Sequence, residues 1–164
     1  MDEEDAVARI QRQWNTERPD LDVSPLGVIG RLHRLADRIR KELLTIYERY
    51  GLGEGEFDIL ATLRRSGAPY EMAPGTLAQR TMVTTGAVSK RLDRLEEAGL
   101  VERRPSDADG RARVVALTPA GRSVIDDAFT AHVRNEHRLI GSLDPQDRAD
   151  LERHLTTWMR ELDA

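Results

Sequence analysis

Apolar residues recur at spacings of three and four along most of this chain. Val7, Ile10 and Trp14 mark one face of a short helix that Pro19 ends. Ser24-Pro25 predicts the start of a second helix, a side-chain cap followed by proline in the first turn. Val28, Leu32, Leu35, Ile39, Leu43, Ile46 and Tyr50 carry it on as a single buried seam as far as Gly51. "GEFDILATLRRSG" reads as a third helix with Phe57, Leu60 and Leu63 inward and Gly67 as its stop. A short helix in "APGTLAQRT" begins after Pro74, and "TTGAVSKRLDRLEEAGL" follows it with Val88, Leu92 and Leu95 on one face. A short helix, a tight turn and a second amphipathic helix form a helix-turn-helix.

The period changes after Gly99. "LVERRP" and "ARVVAL" are β-type segments joined by the turn "SDADGR", which makes a hairpin. Helical spacing then returns, with Thr118 as cap, Pro119 at the first position and Ile125, Phe129, Val133 and Ile140 as the seam. A last helix opens at Asp144-Pro145 and carries Leu151, Leu155, Trp158 and Leu162. The predicted fold is mostly α with a small β-wing: a winged helix-turn-helix core on a helical platform. The chain divides accordingly into N-terminal helices over 1–50, the winged-helix lobe over 51–117 and C-terminal helices over 118–164.

Composition narrows the chemistry. There is no cysteine, which excludes disulfides, thiolate metal sites and thiol catalysis. His33, His132, His137 and His154 have no tight metal spacing, and no nucleophile–base pair, glycine-rich phosphate loop or paired catalytic carboxylates stand out. Neither an enzyme nor a metal protein is expected. The acidic start "MDEEDAVARIQ" is unlike a signal peptide, and no apolar run approaches membrane length, so a cytoplasmic protein is expected. Net charge is −4, yet between Arg80 and Val115 eight basic residues stand against six acidic ones. That local tilt is too small to identify a nucleic-acid binder by itself.

Direction on the helix says more. With Val88, Leu92 and Leu95 inward at about 100° per residue, Gly86, Lys90, Asp93 and Glu97 point outward, with Ser89 and Arg94 on the flanks. Thr84 and Thr85 occupy the N-terminus, where hydroxyls and free N–H groups can hold a phosphate. Such a surface suits a helix laid N-terminus first into a major groove, since Glu96 and Glu97 would repel phosphate at the other end. It equally suits a helix face that is simply solvated. Arg111 at the hairpin edge can reach an adjacent minor groove, or form a surface pair with Asp109. Arg103 and Arg104 fit phosphate contacts or solvated strand positions alike.

The run "LAQRTMVTTGAVSKRLDRLEEAGLVERRPSDADGRARVVALTPAG" resembles the winged-helix core of the MarR family of bacterial transcription regulators, most specifically in "DGRARVVALTPAG". The resemblance extends to the flanking helices. It implies a homodimer built from the terminal helices, binding a pseudopalindromic double-stranded operator. Ser89, Lys90 and Arg94 then fall in the recognition helix, and Arg111, steadied by Asp109, is the minor-groove arginine. It also implies release from DNA by a small, often aromatic or anionic molecule. The added first helix with Trp14 resembles the family's urate-responsive branch, whose ligand-linked positions are matched by Trp14, Asp58, Arg91 and Arg103.

A planar anion is held well by an indole to stack on and a guanidinium to pair with. The effector implied is urate or a related purine or phenolic anion. Near Asp58 it would repel that carboxylate, disturb an Asp58–Arg91 pair and shift the DNA-reading helix. Pattern alone makes Trp14 a packing residue, places Asp58 opposite the apolar face and leaves Arg103 free to contact DNA. Two other functions remain compatible with the sequence, a winged-helix module that binds protein and a regulator with no ligand.

Overall fold

The computed structural model describes residues 4–81, 85–106 and 112–163, and the backbone alone at 85–87. The chain forms two compact units, Met1–Glu42 and Leu43–Ala164.

In the first unit α1 (Ala6–Glu17) packs on the start of α2 (Leu26–Glu48). Asp5 is its cap, accepting from the N–H groups of Val7 at 3.0 Å and Ala8 at 2.8 Å. The same carboxylate receives Arg31 Nε from α2 at 2.7 Å. Val7 is buried, and Gly30 of α2 leaves room for its methyl groups. Of the apolar face predicted for α1, only Val7 is enclosed; Ile10 and Trp14 stay 40% and 49% exposed. The hydroxyl of Ser24, the predicted cap of α2, donates to Asp22 at 3.1 Å.

The Ala8 N–H, and then Arg31, hold the Asp5 carboxyl below the usual aspartate value. A depressed folded-state pKa stabilises the fold above the unfolded value and is lost as pH falls through the folded one. Hydrogen-exchange protection of residues 6–17 should therefore hold at neutral pH and decline below about pH 4. Asp5→Asn should blunt that decline.

The second unit is built around α3 (Glu54–Arg65). Phe57, Leu60 and Leu63 are buried as predicted, but Ile59 and Thr62 are buried too, so α3 is enclosed on more than one face. Its first turn carries Glu54 and Glu56 and its last Arg64 and Arg65, an order that complements the helix dipole. Arg64 pairs with Asp126 at 2.7 Å, and the Tyr70 ring lies between Arg64 and Arg122 at 5.0 and 4.8 Å.

Around α3 stand α4 (Pro74–Arg80), α5 (Thr85–Glu97), α6 (Pro119–Leu139) and a three-stranded antiparallel sheet. The hairpin is β2 (Val101–Pro105) and β3 (Arg113–Leu117), with Arg103 opposite Val115. A two-residue strand that the pattern did not predict, β1 (Glu71–Met72), pairs on the other side of β3. Gly99, at φ +69°, ends α5: its N–H reaches Glu96 O and Leu100 N–H reaches Leu95 O, a Schellman turn.

The terminal helices depart from expectation. Of the α2 seam only Ile46 is buried, beside Tyr47, which the pattern did not place on it, while Val28 and Leu35 are more than half exposed. Of the α6 seam, Ile125 is buried, whereas Phe129 and Ile140 are exposed. Ile140 forms the C-cap of that helix. α7 (Pro145–Leu162), capped by Asp144, buries no residue at all, and Leu162 is 75% exposed. The periodicity correctly marked an apolar stripe; among the described residues of a single chain nothing covers it.

Candidate nucleic-acid interface

The helix-turn-helix is anchored by Leu77 of α4 and by Val88, Leu92 and Leu95 of α5, which join the same core as Leu60 and Leu63. With that face committed, Ser89, Lys90, Asp93, Arg94 and Glu97 are exposed, as the helical wheel predicted, and Arg91 is half-buried. Thr85 opens α5, but its side chain, like Thr84, Asp109 and Arg111, lies outside the described residues.

Two arginines of α5 turn towards α3. The Arg94 guanidinium lies 3.5 Å from Glu56, an exposed cation on a largely buried carboxylate (64% and 13% side-chain exposure). Arg91 lies across Gly55, where a methyl group would collide with the guanidinium. Its Nη1 is buried with no hydrogen-bond partner among the described residues, an unusual state for a charged donor. The inward reach predicted for Arg91 is therefore present. Asp58, on the next turn of α3 from Gly55, is half-buried rather than fully solvated.

Asp58 also contributes to the field at Tyr47. That hydroxyl is pushed up to about 12, by burial first and then by Glu136, Glu54 and Asp58. Tyr47 lies 3.1 Å from His132 Nδ1 and stacks on Phe57, with ring centroids 4.0 Å apart.

The base of the wing is tied to α5. Arg103 Nη2 donates to Asp93 at 2.6 Å, Nη1 donates to Glu96, and the Arg103 backbone N–H reaches Glu96 Oε1 at 3.0 Å. Those two carboxylates, Asp93 first, hold the Arg103 guanidinium above its ordinary value. Arg104 pairs instead with Glu71 of β1 at 2.5 Å and sits 3.4 Å from Glu102. Neither arginine is merely a solvated strand residue. Reasoning from periodicity missed Gly55, Glu56, Asp93, Glu96 and Glu71 as partners. The available signal was the i, i+3 spacing of Asp93 and Glu96 ahead of the Gly99 turn.

Trp14 belongs to the first unit, where it borders an open, mostly apolar hollow of about 540 Å³ with Leu21, Val23, Pro25, Leu26 and Ile29. Among the described residues no group of three or more His, Cys, Asp or Glu could hold a metal ion, and no described helix is long and apolar enough to cross a membrane.

Comparison with known proteins gives this geometry a lineage. A MarR family profile matches residues 50–112, from the approach to α3 through the helix-turn-helix to the wing. The HTH-type transcriptional regulator PecS of Dickeya dadantii is 40% identical over 145 residues, covering 88% of this chain and 87% of that protein. A mutant MarR of Escherichia coli complexed with operator DNA superposes with a TM-score of 0.68 at 24% identity, covering 88% of this chain and 96% of that one. Bordetella bronchiseptica BpsR, whose DNA binding is regulated by 6-hydroxynicotinic acid, superposes at TM-score 0.68 and 22% identity, covering 80% and 92%. At those identities the two structures establish the fold, and the sequence match to PecS over most of both chains establishes kinship. A winged helix-turn-helix with these relatives belongs to the MarR family of transcriptional regulators, a family of regulators and not of enzymes.

Proposed function

We propose that this chain is a homodimeric, sequence-specific DNA-binding repressor, acting in the cytoplasm and released from its operator by a planar anionic aromatic ligand. In this reading residues 51–117 are the DNA-binding lobe, and 1–50 and 118–164 form the dimerisation platform. The observation that carries it is α5: its apolar face is locked into the core, Lys90 is left exposed on the opposite side, and Ser89 and Arg94 are exposed on the flanks. Thr84 and Thr85 hold a phosphate at its N-terminus, and Arg111, oriented by Asp109, enters the minor groove.

The exposed stripes support the dimer. Val28, Leu35 and Ile39 on α2, and Leu151, Met159 and Leu162 on α7, are large apolar side chains in contact with water. Surface of this kind is normally covered by association. Two-fold symmetry then calls for a pseudopalindrome with half-sites about one helical turn apart. Selection from random duplexes at low salt should enrich such a site; enrichment of nothing would contradict the reading.

For the ligand, urate or a related purine or phenolic anion fits best, with Trp14, Asp58, Arg91 and Arg103 as the responding residues. The exposed Trp14 indole is available for stacking, and Arg91 Nη1 lacks an acceptor among the described residues. The 6-hydroxynicotinic acid that regulates BpsR is likewise a small planar aromatic acid. An anion beside Asp58 would raise the cost of that carboxylate and, through Arg91, bias the position of α5. Urate should raise the melting temperature and release DNA, and Trp14→Phe should weaken both effects. A flat response to urate, xanthine and salicylate would contradict the ligand assignment and leave a regulator without one.

A further inference from the structure

The recognition helix has a charge problem of its own. Over Thr85–Glu97 it carries Lys90, Arg91 and Arg94 against Asp93, Glu96 and Glu97. Arg91 is turned inward over Gly55, and Arg94 has Glu56 beside it. The exposed face of α5 is therefore left with Lys90 and Arg94, the latter shared with Glu56, against three carboxylates. A helix charged in this way repels the phosphate backbone it is meant to approach.

The missing cation comes from the wing. Arg103, 27% exposed, bridges Asp93 and Glu96, which are 67% and 40% exposed. Both of its terminal nitrogens are engaged, one per carboxylate. Glu96 also accepts the Arg103 backbone N–H, so side chain and strand are fastened to α5 at one point. A guanidinium held between two carboxylates is a strong charge-assisted arrangement with a fixed geometry. It leaves Arg103 poorly placed to offer those nitrogens to a phosphate.

We propose that Arg103 is a positioning residue for DNA binding: fastened between Asp93 and Glu96, it neutralises both, so that α5 can approach phosphate. This rests on the DNA-binding role of α5 given above, and concerns the protein before any ligand is present. The residue acts through its neighbours and need not touch DNA.

The test is a set of anisotropy titrations of a selected duplex without effector, at about 0.1 M salt, where charges within about 10 Å still act. Arg103→Ala should weaken binding about tenfold or more. Adding Asp93→Asn and Glu96→Gln to that variant should restore affinity to within about threefold of wild type, because the repelling charges are gone. Arg103→Lys, which keeps the charge but not the fork, should retain most of the affinity. Undiminished binding by Arg103→Ala overturns the proposal. So does a loss that the carboxylate substitutions fail to repair, which is the signature of an arginine that contacts phosphate directly. Where Arg103→Ala does not fold, by far-UV circular dichroism, Asp93→Asn/Glu96→Gln in the otherwise wild-type chain carries the test: it should bind at least as tightly as wild type, and weaker binding overturns the proposal. A wild-type protein that binds no duplex removes the DNA reading and this inference together; the other failures remove the inference alone.

Discussion

Gly121→Ala should destabilise the protein by about 3 kcal/mol, the upper range for forcing atoms into a packed site, and lower its melting temperature by about 6–12 °C. The cause lies in "LTPAG". A methyl group at Gly121 would overlap the carbonyl oxygen of Leu100, with the Leu100 carbonyl carbon and Cα close behind. These are backbone atoms, so relief requires the chain itself to move. The chain there is pinned. Thr118 Oγ1 accepts the Gly121 N–H at 2.9 Å and donates to Gly99 O at 2.7 Å, while Thr118 N–H reaches Leu100 O. Moving Leu100 therefore disturbs the end of α5, the start of β2 and the cap of α6 at once. Gly75→Ala is the control, since nothing lies near its added methyl. Alanine's better helix propensity, up to about 1 kcal/mol, should leave that variant unchanged or slightly more stable.

The second large effect is on DNA. Lys90→Ala combined with Arg94→Ala should weaken operator binding about a hundredfold or more, because each loss is worth about 1–3 kcal/mol and the proposed dimer would suffer it twice. Both side chains are exposed, so the melting temperature should move little. Arg94 will also surrender its contact with Glu56, but that pair has an exposed cation at 3.5 Å and little stability depends on it. A variant that binds weakly yet melts normally separates reading DNA from building the fold.

Much of the architecture was legible because it follows from period and punctuation. Val88, Leu92 and Leu95 set the orientation of α5 before any coordinate, and Gly99 and Thr118 marked where helix gives way to hairpin and back. β1 was not legible, since Glu71–Met72 is too short to show alternation and exists only because β3 offers it an edge. The burial of Ile59 and Thr62 was missed for a related reason. A helix at the centre of a core is covered on several faces, whereas a wheel looks for one. The opposite error affects α2, whose seam the pattern reads as buried although a single chain leaves Val28, Leu35 and Ile39 exposed.

The candidate site divides along the same line. Which residues of α5 face outward followed from 3.6 residues per turn. What Arg103 does depends on Asp93 and Glu96, ten and seven residues back across a reversal of the chain; their i, i+3 spacing puts them on one face of α5 but does not name the partner. Gly55 is a similar case: its role is to let Arg91 lie against α3, which only the close approach reveals. The assignments of Trp14 and Asp58 came from resemblance rather than from pattern.

The central claim is that α5 reads DNA through Lys90 and Arg94, and the salt dependence of binding tests it most directly. Titrate the selected pseudopalindrome with wild type and with Lys90→Ala/Arg94→Ala across a range of salt concentrations. Wild type should lose affinity steeply as salt rises, and the logarithmic slope of the variant should be shallower by about one for each phosphate contact removed. Equal slopes and equal affinities in the two proteins would contradict the account.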